Sequence, residues 1–202
     1  GLIELYEASF DVKYLKWALE LNTSMLEHFW DPVGGGFFFT PDDGENLLVR
    51  KKEVYDGAIP SGNAVAMHNL LRLARLTGRS EFDELAARIN KAFSNQINQF
   101  PSGYTQFLSS VDFGLGPSCE VILAGPSQDD GIRDLLKVLR SGYIPNLVVI
   151  YRPSGEKLDE IVRIAPFVEE NPPLDGKPTA YVCRNKICYK PTTDPGEMMK
   201  RL

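Results

Sequence analysis

The strongest constraint on the fold is an internal repeat with a period of 68 residues. A shift by this period places residues 2–29 over residues 70–97 without a gap. The matched pairs are Leu2 with Leu70, Leu5 with Leu73, Tyr14 with Phe82, Trp17 with Leu85, Ala18 with Ala86, Leu21 with Ile89, Met25 with Phe93 and Phe29 with Ile97. They keep the three- and four-residue spacing of amphipathic helices. Any two such helices can be aligned, but the preceding helix end and the connecting turn also align here, which indicates a stacked repeat.

Each repeat unit is predicted to be a pair of helices. Residues 61–77 are apolar on most sides, which is typical of a helix buried between neighbours, and Gly78 suits its C-cap. Ser80 can cap the next helix, which runs to about Gln99 and has a narrower apolar stripe. Alternating broad and narrow stripes predict an inner and an outer layer, as in a double ring of helical hairpins. The register starts the chain in mid-helix, so we expect an upstream portion; the alternative is a short stand-alone N-terminal helix.

Two regions have strand character. Residues 37–39 and 47–50 predict a β-hairpin between the helix pairs. In the last third, strands at 119–124 and 147–151 flank a helix at 128–140, which implies a parallel crossover. A second hairpin is predicted from strands on either side of a turn at Asn185-Lys186. Residues 116–202 are therefore predicted to be a small α/β module.

Composition and charge exclude several classes of function. The net charge of −5, without a basic stripe, argues against nucleic-acid binding. No apolar run reaches the length of a membrane span. Three cysteines do not form a secreted disulfide framework, so we predict a cytoplasmic protein. The two histidines are isolated and Gly125-Pro126-Ser127 is only a weak phosphate-loop signal, so we predict neither a metal nor a cofactor.

Two segments carry a family resemblance. The first is Arg50-Lys-Lys-Glu-Val-Tyr-Asp-Gly-Ala-Ile-Pro-Ser-Gly-Asn63. The second is Ala180-Tyr-Val-Cys-Arg-Asn185, followed by Cys188 and by Pro191-Thr-Thr-Asp-Pro195. Both resemble the YyaL family, also called the spermatogenesis-associated protein 20-like family.

The resemblance implies a thioredoxin-like domain followed by a helical toroid of the six-hairpin glycosidase type, similar to N-acylglucosamine 2-epimerases and unsaturated glucuronyl hydrolases. The fold class we predict is mostly α: a partial (α/α) toroid of helical hairpins over residues 1–115, with the small C-terminal α/β module over residues 116–202. The chain would be a C-terminal fragment. Its expected partners are the missing thioredoxin-like domain and upstream toroid hairpins, and its uncovered faces could promote self-association.

The loop from Arg50 to Asn63 is the best candidate site. In a toroid, such loops surround the central cavity. Asp56 could be a general acid or base, or bind sugar hydroxyls. Arg50 and Lys52 could hold a carboxylate or a phosphate. The other predicted substrate-binding residues are Tyr55, Ser61 and Asn63.

The same loop also has a purely structural interpretation. Ser61 would cap the helix that follows, Asp56 would cap the loop, and Asn63 would satisfy backbone groups. Both interpretations remain open at this point.

Cys183 and Cys188 are predicted to face each other across the C-terminal hairpin. A disulfide, a redox pair and half of a metal site are all compatible with that position, and free thiols are the default in the cytosol. Cys119 is predicted to lie in the core.

Two functions follow from these features. The first is a toroid fragment that binds sugars or acts on them by proton transfer, as an isomerase, an epimerase or a glycosidase-like enzyme. The alternative is a non-catalytic scaffold that partners a thioredoxin-like domain in thiol redox chemistry, with Cys183 and Cys188 exchanging thiols.

Overall fold

The computed structural model describes residues 1–45, 47–126, 129–155, 157–184 and 187–202. The helices are α1 (Leu2–Ser9), α2 (Val12–Phe29), α3 (Gly62–Thr77), α4 (Ser80–Gln99), α5 (Thr105–Leu115), α6 (Asp130–Ser141), α7 (Leu158–Val162) and α8 (Pro195–Met199), with 3-10 turns at Pro101–Gly103 and Pro166–Glu170. The strands are β1 (Cys119–Gly125), β2 (Leu147–Pro153), β3 (Thr179–Arg184) and β4 (Ile187–Cys188). The predicted turn at Asn185-Lys186 and part of the Gly125–Ser127 loop lie outside the described residues. No helix of the described ranges is long and apolar enough to cross a membrane.

The helix pair α3–α4 is confirmed, with one correction at its second cap. Ser61 Oγ accepts a hydrogen bond from Ala64 N at 3.1 Å, and Gly78 ends α3 in the left-handed conformation at φ 73°. Both ends are therefore set by local signals. Ser80, predicted as the cap of α4, is instead the first residue of that helix, and Arg79 precedes it without a side-chain cap.

The C-terminal part is a mixed four-stranded sheet in the order β2-β1-β3-β4. β1 and β2 run parallel, whereas β3 is antiparallel to both β1 and β4. Alternate residues of β1 face opposite sides, as the pleat requires. Val121 packs in the apolar cluster with α6, and Ile122 packs in the cluster with the large helices. The predicted crossover from β1 through a helix to β2 is confirmed.

The prediction of a partial (α/α) toroid is wrong. Within the described ranges, the helices do not form a clear succession of hairpins around a ring. α3 packs against α4, against α5 and against β2, and α1 also contacts β2. The broad apolar surface of α3 is thus covered by a third helix and by the sheet as well as by its own hairpin partner. The result is a helical layer on one face of a mixed sheet, with α6 and α8 on the other.

Candidate functional site

The segment between α2 and α3 is shaped by a glycine turn rather than by the predicted hairpin. In the described residues, an isolated bridge joins Trp30 and Phe37, and a backbone hydrogen bond from Phe39 N to Lys51 O at 2.8 Å spans the loop. Gly35 and Gly36 take φ values of 73° and 79°, which favour glycine. The aromatic run that predicted a strand therefore crosses the site as irregular chain.

Asp31 fixes the start of this turn. Its Oδ1 accepts hydrogen bonds from Val33 N at 2.9 Å and from Gly34 N at 3.0 Å. Its Oδ2 accepts a hydrogen bond from Lys52 Nζ at 2.6 Å. The lysine contact and the backbone donors lower the pKa of Asp31 to about 2, so its carboxylate stays ionised at neutral pH.

Asn63 joins two stretches of this segment. Its Oδ1 accepts a hydrogen bond from Phe37 N at 2.7 Å, and its Nδ2 donates to Phe37 O at 2.9 Å and to Glu53 O at 2.8 Å. The side chain is buried, at 3 % exposure. The side-chain amide of Asn63 thus satisfies the backbone N–H and C=O of Phe37, which a neighbouring strand would otherwise satisfy.

A pocket of about 400 Å³ opens above this contact. It is lined by Met25, Phe29, Phe37, Phe38, Phe39, Glu53, Tyr55, Ile59, Pro60, Ser61, Gly62 and Asn63. Phe39 is 71 % exposed and Tyr55 is 59 % exposed, so both rings are accessible from solvent. Glu53 is an exposed carboxylate on the same wall.

Of the six site residues predicted in the loop from Arg50 to Asn63, three line the pocket and three do not. Tyr55, Ser61 and Asn63 belong to its wall. Phe39 and Glu53 belong to it as well, although sequence reasoning missed both. The aromatic run at residues 37–39 is the available signal, but its pattern predicts only an ordinary strand.

Arg50 and Lys52 do not line the pocket, but both contact the ring of Phe38, which does. Arg50 Nη2 donates to Thr40 O at 2.6 Å and to His28 O at 3.2 Å, and its guanidinium lies 4.3 Å from the Phe38 ring centre. Lys52 Nζ lies 5.4 Å from the same ring. The two cations face one ring of the pocket wall and contact backbone or Asp31, an arrangement typical of structural cation–π contacts.

Asp56 connects the loop to Ser61 at the start of α3 and to Phe107 of α5. Its Oδ1 accepts a hydrogen bond from Ser61 N at 2.8 Å and its Oδ2 accepts one from Phe107 N at 3.0 Å. Both carboxylate oxygens are therefore occupied by backbone N–H groups, which hold the side chain in place. This geometry favours the structural interpretation of Asp56; its catalytic role remains a prediction.

We expect Asp56→Ala to destabilise the chain by about 1–3 kcal/mol, because two backbone N–H groups lose their acceptor. Urea unfolding followed by circular dichroism measures the change. Asp134→Ala, which replaces an exposed carboxylate on α6, is the control and should change the stability by less than about 0.5 kcal/mol. An equal effect of the two variants would contradict the assignment.

One cluster of the described residues has the donors for a cation. His28 Nδ1 lies 3.2 Å from Asp42 Oδ1 and 3.7 Å from Asp43 Oδ2. The hydrogen bond to Asp42 raises the pKa of the histidine. Sequence spacing missed this group because the carboxylates lie fourteen and fifteen positions after the imidazole. The three side chains are one-third to two-thirds exposed and their contacts are those of an ordinary surface ion pair, so we assign no metal.

Cys183 and Cys188 are directly paired between β3 and β4 and form a disulfide. The predicted facing position is confirmed, and the default of free thiols is wrong for this pair. Cys183 is buried and Cys188 is exposed. Cys119 is a buried free thiol, as predicted.

The comparisons with known proteins agree on one relationship. No protein-family model matches the chain. The whole chain is 35 % identical over 203 aligned residues to human spermatogenesis-associated protein 20 and 34 % identical to the protein of that name from Mus musculus. An uncharacterized protein of Caenorhabditis elegans is 27 % identical over 95 % of the chain. The aligned region spans only about a quarter of each relative, at 26 %, 26 % and 25 % of their lengths. With full-length coverage at this identity, the chain belongs to the spermatogenesis-associated protein 20 family.

Proposed function

We propose that the pocket beneath Phe39 and Tyr55 binds a carbohydrate. The observation that carries the proposal is the composition of its wall: solvent-accessible aromatic rings beside an acidic side chain and above a fixed amide. The volume of about 400 Å³ lies within the range of small-molecule sites, roughly 300–1,000 Å³.

The chemistry of a sugar matches this wall. A pyranose ring has one face of C–H groups, which packs on the negative face of an aromatic ring, and a rim of hydroxyls. Phe39 and Tyr55 offer the rings, whereas Glu53 offers acceptor oxygens for the hydroxyls. A purely apolar ligand would make no use of the Glu53 carboxylate, so the mixed surface favours a sugar.

We propose binding rather than glycoside cleavage. Cleavage generally needs two carboxyl groups, separated by about 5–5.5 Å or about 6.5–9.5 Å. In the described lining Glu53 is the one acid, and both oxygens of nearby Asp56 already accept backbone N–H groups.

The test is a glycan array with the 202-residue chain, followed by calorimetric titration of each hit. Tyr55→Ala and Phe39→Ala should each weaken binding about tenfold, because each removes a stacking face worth roughly 1–1.5 kcal/mol. Tyr143→Ala is the matched control, since that exposed tyrosine lies outside the pocket lining. No hit on the array, or equal loss with the control, would sink the proposal.

A second candidate function rests on the disulfide. We propose that Cys183–Cys188 exchanges with a thioredoxin-like dithiol, in keeping with the cytoplasmic location predicted above, where disulfides are usually transient. The partner's thiolate attacks the exposed sulfur of Cys188, Cys183 leaves as a thiolate, and the partner's second thiol closes a new disulfide and releases the Cys188 thiol. Two electrons pass from the partner dithiol to this chain.

A dithiol thioredoxin is the probe for this exchange. Thiol labelling and mass spectrometry should show a 183–188 dithiol after incubation, and a Cys188-linked mixed disulfide when the thioredoxin lacks its resolving cysteine. Cys119→Ser is the control and should react normally, because that thiol is buried and outside the pair. A disulfide that persists under these conditions would argue against this function.

A further inference from the structure

We propose that the carbohydrate bound in the pocket is an uncharged oligosaccharide, and that Phe100 is the stacking surface for its second sugar. This inference rests on the proposed function, because it extends the same pocket by one neighbouring binding position. Phe100 directly follows α4 and is not among the residues that line the pocket. It is 56 % exposed, so a ligand can reach its ring.

Tyr55 connects the pocket to Phe100. Tyr55 lines the pocket, and its ring borders Gly103. A Cβ placed on Gly103 would lie 2.9 Å from Tyr55 Cε2 and 2.8 Å from Phe100 Cδ1, so the two rings stand on either side of a gap that only glycine leaves open. A lone exposed phenylalanine is ordinary in a folded protein. Two exposed rings that meet at one glycine instead form a continuous aromatic surface, which starts in the pocket and extends beyond it.

The backbone fixes the position of Phe100 relative to Tyr55. Phe100 O accepts a hydrogen bond from Gly103 N at 3.1 Å, and Gly103 O accepts one from Asp56 N at 2.9 Å. The Tyr55 ring also makes an edge-on contact with the buried ring of Tyr104, with the ring centres 6.0 Å apart. A surface that is ordered before binding loses little conformational entropy when a ligand binds.

The chain around Phe100 suits an uncharged sugar. Residues 92–111 contain no charged side chain but many amides and hydroxyls. Gln99 and Ser102, on either side of Phe100 in the chain, are both exposed and can donate to and accept from sugar hydroxyls. A uronic acid or a sulfated sugar would find no cationic partner in this segment.

The shape of the aromatic surface indicates the kind of glycan. A single sugar that stacks on Tyr55 leaves the Phe100 ring in water, whereas a second linked sugar can place its C–H face on that ring. β-linked glucose and N-acetylglucosamine have broad C–H faces, because their ring hydroxyls are equatorial. Short glycans of these two sugars are therefore the ligands that this surface fits best.

The test is calorimetric titration of the 202-residue chain with two series of glycans. One series is glucose, cellobiose and cellotriose, and the other is N-acetylglucosamine with its chitin disaccharide and trisaccharide. In at least one series the disaccharide should bind roughly three- to tenfold more tightly than the monosaccharide, because it gains one aromatic contact. In Phe100→Ala this ratio should fall to about one. Tyr143→Ala, which removes an exposed ring outside the pocket lining, is the control and should keep the wild-type ratio.

NMR of the wild-type chain gives a second readout that does not depend on a folded variant. During titration with the trisaccharide, the ring signals of Tyr55 and Phe100 should shift along one binding curve. A shift of the Tyr55 signals alone would overturn the inference.

The outcomes separate this inference from the proposed function. A disaccharide that binds no more tightly than its monosaccharide, or a ratio that Phe100→Ala does not change, would overturn the inference and leave sugar binding by the pocket standing. Failure of both series, when the glycan array gives other hits, would overturn it in the same way. An array without any hit would instead remove the proposed function, and this inference with it.

Discussion

Asn63→Leu is expected to lower the free energy of unfolding by roughly 3–6 kcal/mol, one of the two largest single-residue effects in this chain. The substitution leaves Phe37 N, Phe37 O and Glu53 O without their side-chain partner, and a buried unsatisfied group costs about 1–3 kcal/mol. The chain beside this contact is closely packed, because a Cβ on Gly36 would lie 2.9 Å from the Phe93 ring and 3.2 Å from Asn63 Oδ1. Urea unfolding followed by fluorescence measures the loss.

Asn95→Leu is the matched control for this substitution. Asn95 is exposed on α4, so the same chemical change there should alter stability by less than about 0.5 kcal/mol. The Asn63 variant should also lose saccharide binding, since the amide positions both Phe37 and Glu53 at the pocket. A loss of stability below about 1 kcal/mol would show that the Asn63 amide does not hold the backbone of Phe37 and Glu53 in place.

Arg72→Met is expected to cost about 3–5 kcal/mol at neutral pH. Arg72 is 8 % exposed, and its guanidinium makes hydrogen bonds to both Glu4 and Glu7. Glu7 also accepts a hydrogen bond from Val149 N at 3.0 Å, so its carboxylate joins α1, α3 and β2. Without the arginine, a largely buried negative charge would remain uncompensated.

The pH dependence of this loss follows from the two glutamates. Burial raises the pKa of Glu7 above its usual value, although Arg72 and Val149 oppose the shift. A carboxyl with a raised folded-state pKa contributes stability that is fully present below its ordinary pKa near 4.5 and is lost as pH rises through the folded value. Removing Arg72 raises that pKa further and deepens the loss at neutral pH.

The pKa of Glu4 shifts in the opposite direction to that of Glu7, and this shift also makes the loss of stability in Arg72→Met larger at neutral pH than at low pH. The hydrogen bond from Arg72 lowers the pKa of Glu4, so its contribution is present above the ordinary value near 4.5 and is lost as pH falls through the folded value. At low pH the wild type therefore loses a contribution that the variant never had. The difference in stability between Arg72→Met and wild type should shrink as the pH falls from 7 to 4.

Thermal unfolding across this pH range measures both curves. Arg163→Met removes an exposed arginine and is the control, with an expected change of less than about 0.5 kcal/mol at every pH. A gap between Arg72→Met and wild type that stays constant or widens toward pH 4 would contradict the assigned role of the buried cluster.

Local signals account for the parts of the fold that the sequence predicts correctly. Ser61 and Gly78 set the ends of α3 through their own backbone and side-chain chemistry, and β1 and β2 are apolar runs of strand length separated by an amphipathic helix. These features depend on neighbours within a few positions along the chain, which is why they can be predicted from one sequence.

The toroid prediction failed because a broad apolar surface on a helix does not identify the element that covers it. The pattern of α3 requires cover on most sides, but a sister hairpin, a third helix and a sheet satisfy that requirement equally well. Here the cover comes from α4, α5 and β2. The division into residues 1–115 and 116–202 remains a prediction, and one apolar cluster contains residues from both ranges.

The site was predicted in part for a related reason. Tyr55, Ser61 and Asn63 were selected because they precede or begin a buried helix, and they do line the pocket. The sequence does not predict Phe39 and Glu53 as pocket residues, because their exposure depends on the side-chain amide of Asn63. That amide lies twenty-six residues after Phe37 and takes the place of a strand partner. Strand propensity alone gives no sign of that replacement.

Saturation-transfer-difference NMR tests most directly whether the aromatic pocket binds a sugar. Irradiation of the aromatic protons of the 202-residue chain, with the glycan-array panel supplied in solution, should transfer saturation to the C–H protons on one face of a bound sugar ring. The signal should fall sharply in Tyr55→Ala and persist in Tyr143→Ala. Absence of transfer to every saccharide of the panel, with wild-type protein shown to be folded, would contradict the account.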